Sequence, residues 1–111
     1  MKTINRTVIT VKAKKPFIDW ANSFEDGGPT LDLNDLHTTA YLVPDTYDEY
    51  NYENFIKKNF KTIFESELDS WMADPDVWPQ NRTYKIFKEW FDLQVSDMVF
   101  DLGKDDVINE E

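Results

Sequence analysis

The chain is predicted to fold as an α+β domain in two layers: a three-stranded sheet with helices packed on one of its faces. Three observations lead there. Residues 3–13, TINRTVITVKA, are β-branched and alternate in polarity, as a strand with one wet face does. Elsewhere apolar residues recur at helical spacing, as at Phe17, Trp20, Ala21 and Phe24, which marks the buried stripe of an amphipathic helix. Finally, 111 residues with 41% hydrophobic and 15% aromatic content suit one domain with a substantial core rather than a disordered chain.

The elements follow in order. In the first strand Ile9, Val11 and Ala13 point one way, Thr10 and Lys12 the other. Pro16 fits the first turn of a helix, which EDGGP then ends. TLDLNDLH, residues 30–37, is a connection in which Asp32 is placed to begin a helical turn. TTAYLVP, residues 38–44, reads as a second strand, with Pro44 marking its end or an edge position. The longest helix is expected over residues 48–72, with Thr46 or Asp48 as N-cap and acids in a first turn that the helix dipole favours. Its buried stripe is Ile56, Phe60, Ile63, Phe64, Trp71 and Met72. Lys57, Lys61, Glu65 and Asp69 step by four along the solvated side. The loop MADPDVWPQNRTY, residues 72–84, leads to a helix over 83–91, capped by Asn81 or Thr83 and turned inward through Tyr84, Phe87, Trp90 and Phe91. A last strand covers 93–102, and its alternation breaks at Ser96 and Asp97, where a bulge is expected. The order is β-α-β-α-α-β. Residues 1–102 are expected to form a single globular domain, and 103–111, GKDDVINEE, a flexible acidic tail.

Composition excludes several functions. The net charge is −10, and a phosphate backbone is bound through Lys and Arg. Direct nucleic-acid binding is therefore not expected, nor is an anionic membrane surface. Cysteine is absent, which removes disulfides, thiolate metal sites and a cysteine nucleophile and fits a cytoplasmic protein. The start, MKTINRTVITV, has no apolar targeting segment, and no run approaches a membrane span. An acidic mimic of nucleic acid would need regular rows of negative charge, which Lys57, Lys58 and Lys61 interrupt.

The pieces KKPFIDW, AYLVPD, IFESELDSW, WPQNRTYKIFKEWF and DMVFDL, in this order, resemble a family of small acidic bacterial proteins, hypothetical proteins without an established activity. The resemblance spans about residues 4–102. It implies a bacterial, cytoplasmic, single-domain protein and assigns no catalytic residue, substrate or partner.

Catalytic patterns are missing. There is no phosphate-binding glycine-rich loop, no GxSxG and no HExxH. Any triad would depend on the lone histidine, His37, with Ser23, Ser66, Ser70 or Ser96, and none of these serines lies in an elbow. His37 reads instead as a polar residue before the second strand. One His and no Cys leave zinc too few ligands, and no cofactor is expected. A calcium loop starting at Asp32 would place Leu36 at its fifth position and Val43 at its twelfth, where oxygen ligands are needed. Asp32, Asn34 and Asp35 leave only a weak, unspecific cation site.

Two constellations stand out. Tyr47, Tyr50 and Tyr52, mixed with Asp48 and Glu49, form a candidate contact surface, because tyrosine is enriched at interfaces. The structural reading is a helix start that takes acids for its dipole. Glu67 falls inside the inward sector of the long helix, one turn after Ile63 and one turn before Trp71. A carboxylate there is paired, hydrogen-bonded or protonated. It is either a general acid or one half of a structural clasp completed by Arg82, with Trp71 and Trp78 closing the end of the core. The clasp is the better-supported reading, because no second catalytic group can be named. The function expected is a non-enzymatic protein–protein interaction domain, monomeric or weakly dimeric, whose partner is another protein with a basic surface. The alternative is a small enzyme or ligand-binding domain using Glu67 with Asp97 or Asp101.

Overall fold

β-branched residues spaced two apart build the central strand. The structure is a computed structural model and describes residues 1–24, 31–32 and 38–110. Strand β2 (Arg6–Ala13) buries Thr7, Ile9 and Val11 on one face and exposes Lys12 on the other, since successive side chains of a strand point to opposite sides. It is flanked by β3 (Thr39–Pro44) and β4 (Phe91–Ser96), both antiparallel, in the order β3-β2-β4. The register sets Ile9 between Tyr41 and Val95, and Val11 between Thr39 and Leu93. Pro44 thus lies on an edge strand, where a missing N–H is tolerated. Thr7, buried among apolar neighbours, donates its hydroxyl to the Tyr47 carbonyl at 2.6 Å.

The chain end departs from expectation. Residues 93–102 do not form one bulged strand. Strand β4 stops at Ser96, whose hydroxyl donates to the Met98 carbonyl at 3.3 Å and closes a bend. The chain then forms β5 (Phe100–Asp101), which pairs antiparallel with β1 (Lys2–Thr3) in a separate two-stranded sheet. The N–H of Ile4 extends this ribbon by donating to the Val99 carbonyl at 3.0 Å. The described fold therefore has three α-helices and two small antiparallel sheets. Residues 103–110 carry no regular secondary structure and are exposed.

Helix α1 (Lys15–Asn22) has Pro16 in its first turn and buries Phe17, Ile18 and Ala21. Ser23 turns both its N–H and its hydroxyl onto the Trp20 carbonyl, so the helix ends before Phe24. Phe24 still meets the Trp20 ring edge-on at 5.2 Å. Helix α2 (Tyr52–Trp71) starts four residues later than expected. Asp48 commits its carboxylate to the N–H groups of Tyr50 and Asn51, at 2.8 and 3.1 Å, a local turn that competes with helix initiation. Asn51, rather than Thr46 or Asp48, is the N-cap residue. Helix α3 (Tyr84–Trp90) is capped by Thr83, whose hydroxyl accepts from the Ile86 N–H at 3.2 Å. Phe91 opens β4 instead of closing this helix.

The core gathers β2, β3 and β4 residues with residues of all three helices. Phe64 is its aromatic hub, with ring centroids 5.8 Å from Phe87, 5.5 Å from Trp90 and 5.4 Å from Phe91. Each such pair adds about 0.5–1.5 kcal/mol beyond its buried area. Leu68 completes the buried stripe of α2, while Trp71, expected within it, is 38% exposed. Trp71 has the right angular position but is the last helical residue. The expected helical turn after Asp32, and Asn34, Asp35, Leu36 and His37, lie outside the described residues.

Candidate functional site

Helix α2 brings Glu67 over the edge strand β3. Its carboxylate accepts the Thr39 hydroxyl at Oε2 and the Tyr41 hydroxyl at Oε1, both at 3.2 Å. Burial pushes the Glu67 carboxyl above its ordinary value, and the two hydroxyl donors pull the other way. Tyr41 is also raised, first by burial; the Ser66 side chain lowers it and the neighbouring Glu67 charge adds to the rise. The group is a half-buried carboxylate satisfied by neutral donors.

Arg82 does not complete it. The guanidinium pairs with Glu65 at 3.8 Å, donates to the Pro79 carbonyl at 2.7 Å and stands 5.8 Å from the Trp78 ring centroid. The expected Glu67–Arg82 clasp is replaced by two separate arrangements. Residues two apart on a helix are turned about 200° from each other. Glu65 therefore meets the loop while Glu67 meets the sheet. Glu65, read as solvated, is half-buried.

The tryptophans do fasten this end of the molecule, through their indole N–H groups. Trp78 donates to the Met72 carbonyl at 2.7 Å, just past the end of α2. Trp71 donates to the Ala21 carbonyl at 3.3 Å, in the last turn of α1. Trp20 donates to the Val77 carbonyl at 3.0 Å, at the end of the short 3₁₀ turn Pro75–Val77. The last carbonyls of a helix have no partner within it, and these indoles supply one from a neighbouring element.

The tyrosine group divides. Tyr47 and Tyr52 are half-buried against the core, and Tyr47 packs on Phe55 with centroids 5.2 Å apart. Only Tyr50 is open, at 89% exposure, next to exposed Glu49. Asp48 serves the local turn. The five residues are therefore not one contact surface.

Of the serines weighed as nucleophiles, Ser66 hydrogen-bonds Tyr41 beside Glu67, and the other three have local roles. Ser23 donates to the Trp20 carbonyl, Ser70 to Glu67's and Ser96 to Met98's. Asp97 follows β4, across the sheet from the β3 edge that faces Glu67. Asp101 lies in the terminal ribbon. Neither is brought to Glu67 by the topology. Among the described residues no group of three or more His, Cys, Asp or Glu side chains is arranged to hold a metal ion. None of the described helices is long and apolar enough to cross a membrane. On the outer sheet face, Thr10, Lys12, Thr38, Asp92 and Gln94 line a polar hollow of about 330 Å³.

One surface escaped the sequence reading. Met98, Phe100 and Leu102 are 71%, 46% and 81% exposed, while Val99 and Asp101 between them are partly covered. The signal was present in DMVFDL, where acids and apolar residues interleave, but it was absorbed into a single strand of the main sheet. No family model, curated protein or solved structure matches the chain.

Proposed function

We propose that this is a small acidic cytoplasmic protein that acts by binding another protein through a basic surface of that partner, as a monomer or weak dimer. The observation that carries the reading is the set of large apolar side chains left open on a chain of net charge −10, with Tyr50 at 89%, Met98 at 71% and Leu102 at 81% exposure. Exposed apolar groups rimmed by charge favour association with a complementary surface. The two-layer arrangement supports it by presenting helix and ribbon surfaces that the core does not use. The alternative, a small enzyme or ligand-binding domain working through Glu67, is less well supported. The hydrogen-bond partners of that carboxylate are neutral hydroxyls, and among the described residues no group of acids is gathered around it.

The test is site-specific photo-crosslinking in cells. A photoreactive residue replaces Tyr50, Met98 or Leu102, with Lys57 on the solvated side of α2 as control. The expected result is one reproducible crosslinked protein from at least one apolar position and none from position 57. Identical products from all four positions, or none from any, count against an interaction domain.

A further inference from the structure

We propose that the terminal ribbon and the acidic segment after it form the docking element, and that its occupant is a protein with an apolar groove bordered by lysines or arginines. This rests on the interaction reading above and locates it. The ribbon consists of two short strands, with Thr3 opposite Phe100 and Lys2 opposite Asp101. A two-stranded ribbon is marginal unless one of its faces is covered. Here Met98, Phe100 and Leu102 are all exposed, while Val99 and Asp101 between them are partly covered. Beyond them Val107 and Ile108 are also open, at 66% and 77%.

The surrounding charge indicates what covers this face. Residues 97–111 hold six acids, Asp97, Asp101, Asp105, Asp106, Glu110 and Glu111, against the single lysine Lys104. That is a net −5, half of the whole chain's −10. An apolar strip interleaved with carboxylates complements an apolar groove with a basic rim. The same charge opposes stacking on a second copy of this chain and opposes an anionic lipid surface.

The experiment titrates isotope-labelled full-length protein with an amphipathic Lys/Leu helical peptide of about twenty residues, followed by residue-resolved NMR. A Lys/Ser peptide of equal charge and neutral phosphatidylcholine vesicles serve as comparisons. The expected result is that the Lys/Leu peptide shifts signals of residues 1–4 and 97–110 and binds about tenfold or more tightly than the Lys/Ser peptide. The triple variant Met98→Ser, Phe100→Ser, Leu102→Ser should lose about tenfold or more in affinity. Because these side chains are exposed, its melting curve should match the wild type. A second variant, Asp105→Lys with Asp106→Lys, tests the charge without touching the apolar strip and should also weaken binding. Shifts centred on Tyr50 instead would overturn the location and leave the interaction reading intact. Binding to neutral vesicles in preference to the peptide, dimerisation through this face in sedimentation, or no Lys/Leu binding would each overturn the inference itself.

Discussion

On the inner side of α2, Glu67 is a carboxylate held between helix and sheet by two hydroxyl donors, with no ion pair to it among the described residues. Its ordinary pKa of 4.5 is raised, chiefly by burial, against the two hydroxyl bonds. A folded-state pKa above the unfolded one means that protonation favours the fold. That contribution is complete below the ordinary value and is lost as pH rises through the raised one. At neutral pH the ionised group therefore weighs against stability. Glu67→Gln, which resembles the protonated acid in shape, is expected to melt higher than wild type near about pH 8 and to lose that advantage as pH falls to about 4. Thermal melts of both proteins across this range check it; a variant that melts lower throughout would show that the ionised carboxylate is needed by Thr39 and Tyr41. The inward position of Glu67 was legible from helical phase alone. Its partners were not, because Thr39 and Tyr41 are 28 and 26 residues away and reach it only through the placement of β3. Arg82 was chosen as its partner by nearness in sequence, and the helix turns Glu65 toward that side instead.

At the scale of elements, the indole N–H groups explain why the 72–84 loop is so rich in large residues. Trp78 is half-buried against the core and also satisfies the carbonyl of Met72. The two roles separate by substitution. Trp78→Phe removes the donor and keeps most of the packing, for an expected loss of about 1 kcal/mol. Trp78→Ala removes both, with an expected loss of about 3 kcal/mol. Urea unfolding of the two variants measures the difference; equal losses would mean that packing contributes little. Much of the fold was readable at this scale. Alternation identified the central strand, helical spacing identified all three helices, and of the two caps offered for α3, Asn81 or Thr83, the structure uses Thr83. The remainder depended on competition that a pattern does not show. Asp48 favours an Asx turn over a cap, and Ser96 closes a bend where a bulge was expected. The short strands β1 and β5 are set by pairing between residues far apart in sequence, Thr3 with Phe100 and Lys2 with Asp101.

For the whole molecule, the question is which part of the electrostatics dominates stability. The ion pairs among the described residues are Lys14–Asp92, Lys15–Asp19, Arg82–Glu65 and Lys88–Glu53, with separations of 3.1–3.9 Å and side chains partly or largely exposed. Pairs of this kind contribute about 0–1 kcal/mol each, and salt screens them. Against them stands a net charge of −10, whose self-repulsion disfavours the compact state and is screened by the same salt. The two effects have opposite salt dependence, so one measurement ranks them. Raising ionic strength from about 0.01 M to 0.15 M shortens the Debye length from about 30 Å to 8 Å. Repulsion acts between many acids over long distances, whereas the pairs are few and close, so screening removes more repulsion than attraction. The melting temperature at neutral pH is therefore expected to rise over this range of sodium chloride. The rise should be smaller at about pH 4.5, where carboxylates begin to take up protons and the net charge falls. A melting temperature that drops as salt is added would reverse the ranking and give the ion pairs the larger share. The same screening would weaken attraction to the proposed basic partner, so the conditions expected to stabilise the isolated chain are those in which the proposed docking through residues 97–110 would be weakest.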